Sequence, residues 1–220
     1  MLTGEMKSLV LENAPELARI EGSLTSAAGK KRARTILVTS CSAGEGKTAA
    51  AVSMAYSLSS KAGTKVVLVD ANLQAPKIHE IFGIPQSPGL SDVLATRVQL
   101  QEVIRGTERD NLMMVTSGSA LTETAGSDKE ASFPENLALL IVKEQFDYVI
   151  VDGGPVFGAS DALVMCRHFD GVVLVVECEK TRWEALQQAK EAVQNAGGEI
   201  LGVVLNKRKY YIPKQIYGKI

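Results

Sequence analysis

The sequence is poor in the residue types that most often mark secreted or metal-binding proteins. Its 220 residues include three cysteines, two histidines and one tryptophan, and the formal net charge is −1. An odd number of irregularly spaced cysteines argues against a disulfide framework, and two distant histidines do not suggest a metal site. A nearly neutral chain has no general attraction to nucleic acid or to a membrane surface. We therefore predict no nucleic-acid partner.

Long apolar runs are also missing. None approaches the roughly 18 residues that a membrane-spanning helix needs, and no secretory leader stands out. The length suits a single domain with a sizeable core. From these absences we expect a cytoplasmic protein, whose association with a membrane would require a partner.

One short stretch, residues 39–48, carries the strongest chemical signal. It reads Thr-Ser-Cys-Ser-Ala-Gly-Glu-Gly-Lys-Thr, after an apolar strand-like run and before an alanine-rich helix-like run. A strand, a small-residue turn ending in Gly-Lys-Thr and then a helix are the setting of a phosphate-binding loop, or P-loop. The general pattern asks for glycine at position 41, where this chain has Cys41. The alternative is a surface loop that carries Gly-Lys-Thr by chance.

The residue types of this stretch fit phosphate chemistry. Glycines let backbone N–H groups close around phosphate oxygens, and the following helix directs its positive end at the same oxygens. Lys47 would place its charge on the β- and γ-phosphates, and the Thr48 hydroxyl would hold Mg²⁺. The predicted nucleotide-binding residues are these and one distant asparagine, namely Ser42, Ala43, Gly44, Glu45, Gly46, Lys47, Thr48, Ala49 and Asn206.

The rest of the sequence alternates strand-like and helix-like runs. Such alternation predicts an α/β fold with a mostly parallel sheet and helices on both faces. The expected strands cover residues 35–39, 64–70, 111–116, 146–152, 171–177 and 200–206. The expected helices cover residues 46–61, 76–82, 134–144, 161–168 and 182–196, with one more that opens at Leu90 under a Ser91 cap.

Composition divides the chain into three parts. Residues 1–34 are expected to form a helical segment outside the core and a short basic linker, and residues 35–209 the nucleotide-binding domain. Within that domain, the small and polar residues 117–133 predict a mobile loop. Residues 210–220 form a tail that holds three of the five tyrosines, Tyr210, Tyr211 and Tyr217.

Two of the expected strands end in aspartate, at Asp70 and Asp152. Ligands of such sheets bind at the carboxyl ends of the strands, where aspartate often serves Mg²⁺ or a water molecule in phosphate chemistry. The alternative for each aspartate alone is a helix cap or a structural hydrogen bond, but both together with a P-loop predict a metal site of Thr48, Asp70 and Asp152. Asn206 ends another strand, and its amide offers a donor and an acceptor to adenine. The alternative for Asn206 is a turn residue.

These motifs, in this order, resemble the bacterial tyrosine autokinases that regulate capsule and exopolysaccharide export. Residues 39–48 resemble that family's Walker A motif, residues 67–76 its own Walker A′ motif and residues 149–155 its Walker B motif. The family is related to the septum-placement and chromosome-partition ATPases, which place a second lysine where this chain has Ser42. That difference favours the autokinase branch, over residues 34–209.

The resemblance implies a fold, a chemistry and a partner. The fold would be the three-layer P-loop NTPase sandwich, and the cofactors ATP or ADP with Mg²⁺. Lys47, Asp70 and Asp152 would be catalytic, and the tail tyrosines would accept phosphate. The partner would be a membrane polysaccharide co-polymerase, so the chain would lie in the cytoplasm or peripherally at the inner membrane, as a homo-oligomer in some states.

Several positions depart from the family pattern. Asn72 and Gln74 replace an aspartate and an arginine of Walker A′, and Gly154 replaces a Walker B proline. An amide cannot act as a general base near neutral pH. Of the oligomer-building Glu-x-x-Arg-x-x-Arg motif only Glu16 and Arg19 are present. Three hypotheses therefore remain, an autokinase, an ATPase or nucleotide-gated switch, and a scaffold without catalysis, and the tail is either an acceptor or a docking segment.

Overall fold

The structure, a computed structural model, describes residues 35–119, 146–158 and 161–208, with residues 2–4, 6, 10 and 22 before them. The strands are β1 (Thr35–Ser40), β2 (Val66–Asp70), β3 (Arg105–Gly106), β4 (Leu112–Val115), β5 (Tyr148–Asp152), β6 (Gly171–Glu177) and β7 (Ile200–Asn206). The helices are α1 (Lys47–Leu58), α2 (Ile78–Phe82), α3 (Leu90–Leu94), α4 (Leu100–Val103), α5 (Asp161–Cys166) and α6 (Trp183–Asn195).

The described strands form one seven-stranded sheet in the order β3-β4-β2-β5-β1-β6-β7. Every neighbouring pair is parallel except β3 and β4 at one edge. β1 lies inside the sheet between β5 and β6, so the loop that follows it emerges between two other strand ends. The predicted α/β fold with a mostly parallel sheet is confirmed.

Side chains of the central strands point alternately into two apolar cores. On β1, Ile36 and Val38 join the core that includes α1 and α2, and Leu37 joins the core that includes α5 and α6. Strands buried on both faces need apolar residues at every position, which explains the unbroken runs in the sequence. The two cores make the three-layer sandwich that the sequence predicted.

The expectation that the segment before β1 lies outside the core is wrong for three of its described residues. Leu2, Met6 and Val10 are buried in the same core as α1 and α2, and the Thr3 N–H donates to the Ile81 carbonyl. Apolar residues at loose helical spacing can cover a neighbouring helix as well as stand free. Residues 5, 7–9, 11–21 and 23–34 lie outside the described part of the chain.

Two further details differ from the prediction. Ser91 does not cap α3, because the Asp92 carboxylate accepts the Gly89 N–H at 2.9 Å while the Ser91 hydroxyl donates to the Ser119 carbonyl. The edge strand β3 and helix α4 were not predicted, since both are too short to show a period.

Several predictions fall outside the described residues. These are the helix at 134–144, the tail from 209 onwards, and the greater part of the loop at 117–133. Glu16 and Arg19 fall outside them as well. None of the described helices has the length and apolarity to cross a membrane.

Candidate nucleotide-binding site

The P-loop, residues 41–46, lies at the carboxyl end of β1 and leads directly into α1. Parallel pairing sets Val38 beside Asp152 of β5, and Ser40 beside Val175 of β6. Asp152 in turn is the direct partner of Asp70 on β2. The predicted phosphate loop and both predicted aspartates therefore lie at one edge of the sheet, as parallel topology requires.

Two glycines give the P-loop its shape. Gly44 and Gly46 have φ angles of 84° and 92°, a left-handed conformation that other residues adopt only with strain. A Cβ atom on Gly46 would also overlap the side-chain amide of Asn206. Lys47 begins α1 immediately after this turn and is buried. The loop therefore has the tight, open-backbone form that can surround a phosphate group.

Glu45, between the two glycines, ties the P-loop to itself and to the rest of the sheet edge. Its side chain is only 5% exposed. One carboxylate oxygen accepts the Ser42 N–H at 2.9 Å, and the other accepts the Thr181 hydroxyl. The Glu45 carbonyl accepts the side-chain amide of Asn206 at 2.9 Å. Asn206 thus reaches the site as predicted, with part of its amide already used to hold the loop.

The segment after β5 forms the floor of the site. The Gly153 N–H donates to Val38, and the N–H groups of Val156 and Phe157 donate to the carbonyls of Ser40 and Cys41. Cys41, which replaces the first glycine of the general pattern, has no exposed surface and packs in the core with α5 and α6. Burial and then the charge of Glu45 raise its pKa to about 11, so the thiol stays protonated and packs as an apolar group.

Asp70 is fully buried and fully engaged with the backbone that follows it. Its carboxylate accepts the N–H groups of Asn72, Lys77 and Ile78 at 3.3, 3.1 and 3.0 Å. Burial nevertheless raises the pKa of Asp70 to about 6, because desolvation outweighs these bonds. The structure brings Asp70 to the predicted site, where its oxygens already hold the start of α2.

Asp152 is equally buried but has no such bonds. Neither of its carboxylate oxygens has a hydrogen-bond partner of ordinary geometry among the described residues. Burial, and next the neighbouring Asp70 charge, raise its pKa to about 7, against the opposing effects of the Thr48 hydroxyl and the Lys47 charge. Buried polar groups are normally satisfied, so this carboxylate is the clearest sign of a site for a ligand.

Asn72, the amide of the Walker A′-like segment, has a structural bond of its own. Its Nδ2 donates to the Ala75 carbonyl at 2.7 Å, and the side chain is buried. An ionised carboxylate has no hydrogen to donate, so an aspartate at position 72 could not make this bond. The turn between Asp70 and α2 is therefore built around the amide.

The donors present fit a magnesium ion shared with a nucleotide. Mg²⁺ uses one or two protein oxygens together with phosphate oxygens and water, and Thr48 and Asp152 supply such oxygens side by side. The described residues contain no group of three or more His, Cys, Asp or Glu that could hold a metal without a nucleotide. The three tail tyrosines lie outside the described residues.

The sequence did not single out several residues that shape the site, namely Thr181, Glu177 and Lys207. The Thr181 hydroxyl reaches Glu45 over 136 residues of sequence, and the Lys207 ammonium reaches the Gly44 carbonyl over 163 residues. No motif contains them. The one available sign was that Lys207 directly follows a strand-end asparagine.

Comparison with known proteins assigns the class. Residues 33–200 match the AAA domain family, so the chain belongs to this family. Its P-loop ATPase members bind nucleotides, which agrees with the geometry described above.

Individual relatives narrow the comparison. The chain is 31% identical over 178 residues to the tyrosine-protein kinase CpsD of Streptococcus agalactiae, covering 80% of this chain and 76% of CpsD. It is 28% identical over 205 residues to the tyrosine-protein kinase YwqD of Bacillus subtilis, covering 93% and 84%. The kinase domain of the Escherichia coli tyrosine kinase ETK shares the fold, with a TM-score of 0.80 at 23% identity over 90% of this chain and 78% of that one. The chain belongs with the bacterial tyrosine-protein kinases of the CpsD kind.

Proposed function

We propose that the chain is an ATP- and Mg²⁺-dependent tyrosine autokinase of capsule or exopolysaccharide production. One observation carries the proposal, the buried Asp152 carboxylate beside Thr48, which has no hydrogen bond of ordinary geometry in the described part of the chain. Such a carboxylate suits a metal that arrives with a nucleotide. The names of the relatives CpsD and YwqD support tyrosine as the acceptor.

Each residue of the site would have a defined task. The P-loop N–H groups and the Lys47 charge would bind the β- and γ-phosphates. Thr48 and Asp152 would hold Mg²⁺, which when bound neutralises charge on the phosphates. Asp70 would add negative charge beside Asp152 and keep the strand end rigid through its backbone bonds. The remaining loop residues, including Ser42, Ala43 and Ala49, would line the phosphates, and Asn206 would lie beside the base.

The transfer itself needs an acceptor and a base. The tyrosine oxygen would form a bond to the γ-phosphorus while the bond to ADP breaks, and the hydroxyl proton would leave. Asn72, at the position where the resemblance places the base, cannot take that proton, and Asp70 is the candidate base that remains. Tyr210, Tyr211 and Tyr217 are the proposed acceptors, in a tail that follows the nucleotide-binding domain of residues 35–209.

The cellular setting of the proposal rests on the resemblance alone. A membrane polysaccharide co-polymerase would be the partner, and the chain would lie in the cytoplasm, next to the inner membrane when the partner is engaged. A homo-oligomer would be one of its states. Residues 1–34 would form an N-terminal segment that packs partly on the domain, since Leu2, Met6 and Val10 are buried in its core.

A second function is favoured by Asn72. Its bond to Ala75 commits the Walker A′-like turn to an amide, so the chain can bind and hydrolyse ATP while lacking the family's usual carboxylate. In that case it would be an ATPase or nucleotide-gated switch that signals to the partner without phosphorylating tyrosine.

The deciding experiment is an intact-mass measurement after incubation with MgATP, with Lys47→Met as the inactive control. The autokinase predicts phosphoryl adducts on the tail tyrosines that fragmentation can locate and that Lys47→Met lacks. Phosphate release without adducts would support the switch instead. Absence of both, with no ATP binding by calorimetry, would contradict any nucleotide-dependent function.

A further inference from the structure

The P-loop accepts hydrogen bonds from side chains that belong to no recognised sequence motif. We propose that Lys207 is a positioning residue for the P-loop, with Glu177 as its counter-charge, and that nucleotide affinity depends on it. The proposal rests on nucleotide binding as the function of the site. It concerns the conformation of the P-loop before nucleotide binds, since Lys207 is assigned no contact with the phosphates.

The geometry places Lys207 between the P-loop and β6. Its ammonium donates to the Gly44 carbonyl at 2.7 Å and lies 3.1 Å from a carboxylate oxygen of Glu177. Lys207 directly follows β7 and has a φ angle of 56°, unusual for a residue with a side chain. Such a conformation persists only where surrounding contacts hold it, and these two bonds are contacts of that kind.

The bond to Gly44 controls the direction of a phosphate-binding group. In a trans peptide plane the carbonyl and the N–H point in opposite directions. Holding the Gly44 carbonyl therefore sets the direction of the Glu45 N–H, and holding the Glu45 carbonyl through Asn206 sets that of the Gly46 N–H. Two successive peptide planes are thus fixed from their carbonyl side, which leaves their N–H groups directed away from both anchors.

This fixation matters most where the backbone is least restrained. Gly44 has no side chain and sits in the left-handed region, so its peptide planes rotate more freely than those of other residues. Ordering them at the moment of binding would reduce affinity, whereas ordering them beforehand avoids that cost. Lys207 supplies the order in advance with a charge-assisted bond, the stronger kind of hydrogen bond.

The same region contains a matched control. Lys180 also donates to Glu177, at 3.2 Å to the same carboxylate oxygen that Lys207 contacts. Within the described part of the chain, however, its ammonium makes no bond to the P-loop. Removing either ammonium leaves Glu177 with one remaining partner, so the two variants differ in the Gly44 bond.

The first test is ADP binding by calorimetry with Lys207→Met, Lys207→Arg and Lys180→Met. We expect Lys207→Met to bind about tenfold more weakly, since a half-exposed charge-assisted bond is lost. Lys180→Met should bind like the wild type, and Lys207→Arg should recover part of the loss. ATP and GTP affinities should fall in parallel, because the bond orders the phosphate loop and not the base. Equal losses in Lys207→Met and Lys180→Met, or no loss in either, would overturn the proposal.

A second test needs no nucleotide and so separates this proposal from the proposed function. The NMR order parameters of the Glu45 and Gly46 amides should fall in nucleotide-free Lys207→Met, and stay unchanged there in Lys180→Met. The exchanged pair Glu177→Lys with Lys207→Glu restores opposite charges but puts a carboxylate against the Gly44 carbonyl. It should therefore remain as impaired as Lys207→Met. Recovery in the exchanged pair would show that the ion pair alone matters and would contradict the role of the Gly44 bond.

Discussion

The ends of β2 and β5 look alike in the sequence and differ in the structure. Each strand is an apolar run that ends in aspartate, and the two aspartates pair directly across the sheet. Asp70 accepts three backbone N–H groups, whereas Asp152 accepts none of ordinary geometry from the described residues. The same residue at the same level of the same sheet thus holds the backbone in one strand and makes no such bonds to the described residues in the next.

The chain that follows each strand explains the difference. After β2 it turns through Asn72 and returns with the N–H groups of Lys77 and Ile78 pointing at Asp70. After β5 the N–H groups of Gly153 and Val156 are bonded to β1, and Pro155 has none to offer. Whether a strand-end aspartate is free to bind a ligand therefore depends on where the N–H groups of the next few residues donate their hydrogen bonds.

The largest effect that tests this contrast is on catalysis. Asp152→Ala should lower MgATP turnover about 100-fold or more, because a group that would hold the metal and its charge is removed. Asp70→Ala should lower it far less, about tenfold, since its carboxylate is engaged with the backbone. Steady-state phosphate release at a temperature where both variants remain folded would measure this.

The Mg²⁺ dependence of ADP binding tests the same comparison independently of turnover. The Mg²⁺ concentration needed for tight ADP binding should rise in Asp152→Ala and stay near the wild-type value in Asp70→Ala. If Asp70→Ala were the more damaging change by both measures, the assignment of the two strand ends would have to be reversed.

The next effect is on stability, where the two variants should move in opposite directions. Asp70→Ala orphans three backbone N–H groups at about 1–3 kcal/mol each. The raised pKa of Asp70, about 6, corresponds to roughly 3 kcal/mol of burial cost that the variant regains at neutral pH. The net loss should be about 0–6 kcal/mol. Asp152→Ala orphans no backbone N–H group of the described residues and removes a buried carboxylate that has no hydrogen bond of ordinary geometry among them, so it should be more stable than the wild type by about 1–3 kcal/mol.

Urea unfolding of the nucleotide-free proteins provides the measurement. Asn72→Ala is a useful companion, because it breaks only the bond to Ala75 within the same turn and should cost about 1 kcal/mol. A stabilised Asp70→Ala or a destabilised Asp152→Ala would mean that these hydrogen bonds do not determine how each aspartate affects the free energy of unfolding.

Sequence reasoning reached the fold and the clustering of the predicted site residues at one sheet edge, because both depend on local patterns. Apolar runs predict buried strands, and parallel strands bring their carboxyl ends together, so Lys47, Thr48, Asp70 and Asp152 had to meet. The likeness to autokinases rested on the same local motifs. Whether a given aspartate is occupied is a different kind of question, since it depends on the path of the backbone after the strand.

The features that sequence reasoning missed depend on contacts between residues far apart in the sequence. Lys207 and Thr181 act on residues more than a hundred positions away, and Leu2 joins the core through contacts with helices that follow much later. Ser91 has the right chemistry for a cap, yet Asp92 holds that place because the Gly89 N–H lies within its reach. Residue type and spacing set what can happen locally, and the packed fold then selects among those choices.

A third buried aspartate extends the comparison to pH. Asp92 accepts the N–H groups of Gly89 and Ser119 and the Ser87 hydroxyl, and Arg97 lies 3.7 Å away. Burial acts to raise its pKa, but these bonds outweigh burial and lower the pKa below its usual value. Asp70, with N–H donors alone and deeper burial, shows the opposite balance. Both carboxylates have three donors, so the depth of burial decides the sign of the pKa shift.

The lowered pKa of Asp92 leads to the third and smallest predicted effect, a contribution to stability that depends on pH. Because the folded-state pKa of Asp92 is depressed, its stabilisation is fully present above the unfolded value of about 4 and is lost as the pH falls through the folded value. Wild type should exceed Asp92→Asn in unfolding free energy by about 1–2 kcal/mol at pH 7, and the gap should narrow as the pH falls below about 4. A gap that stayed constant or widened towards acid would mean that the charge of Asp92 contributes nothing, and that neutral hydrogen bonds hold the start of α3 against the segment after β4.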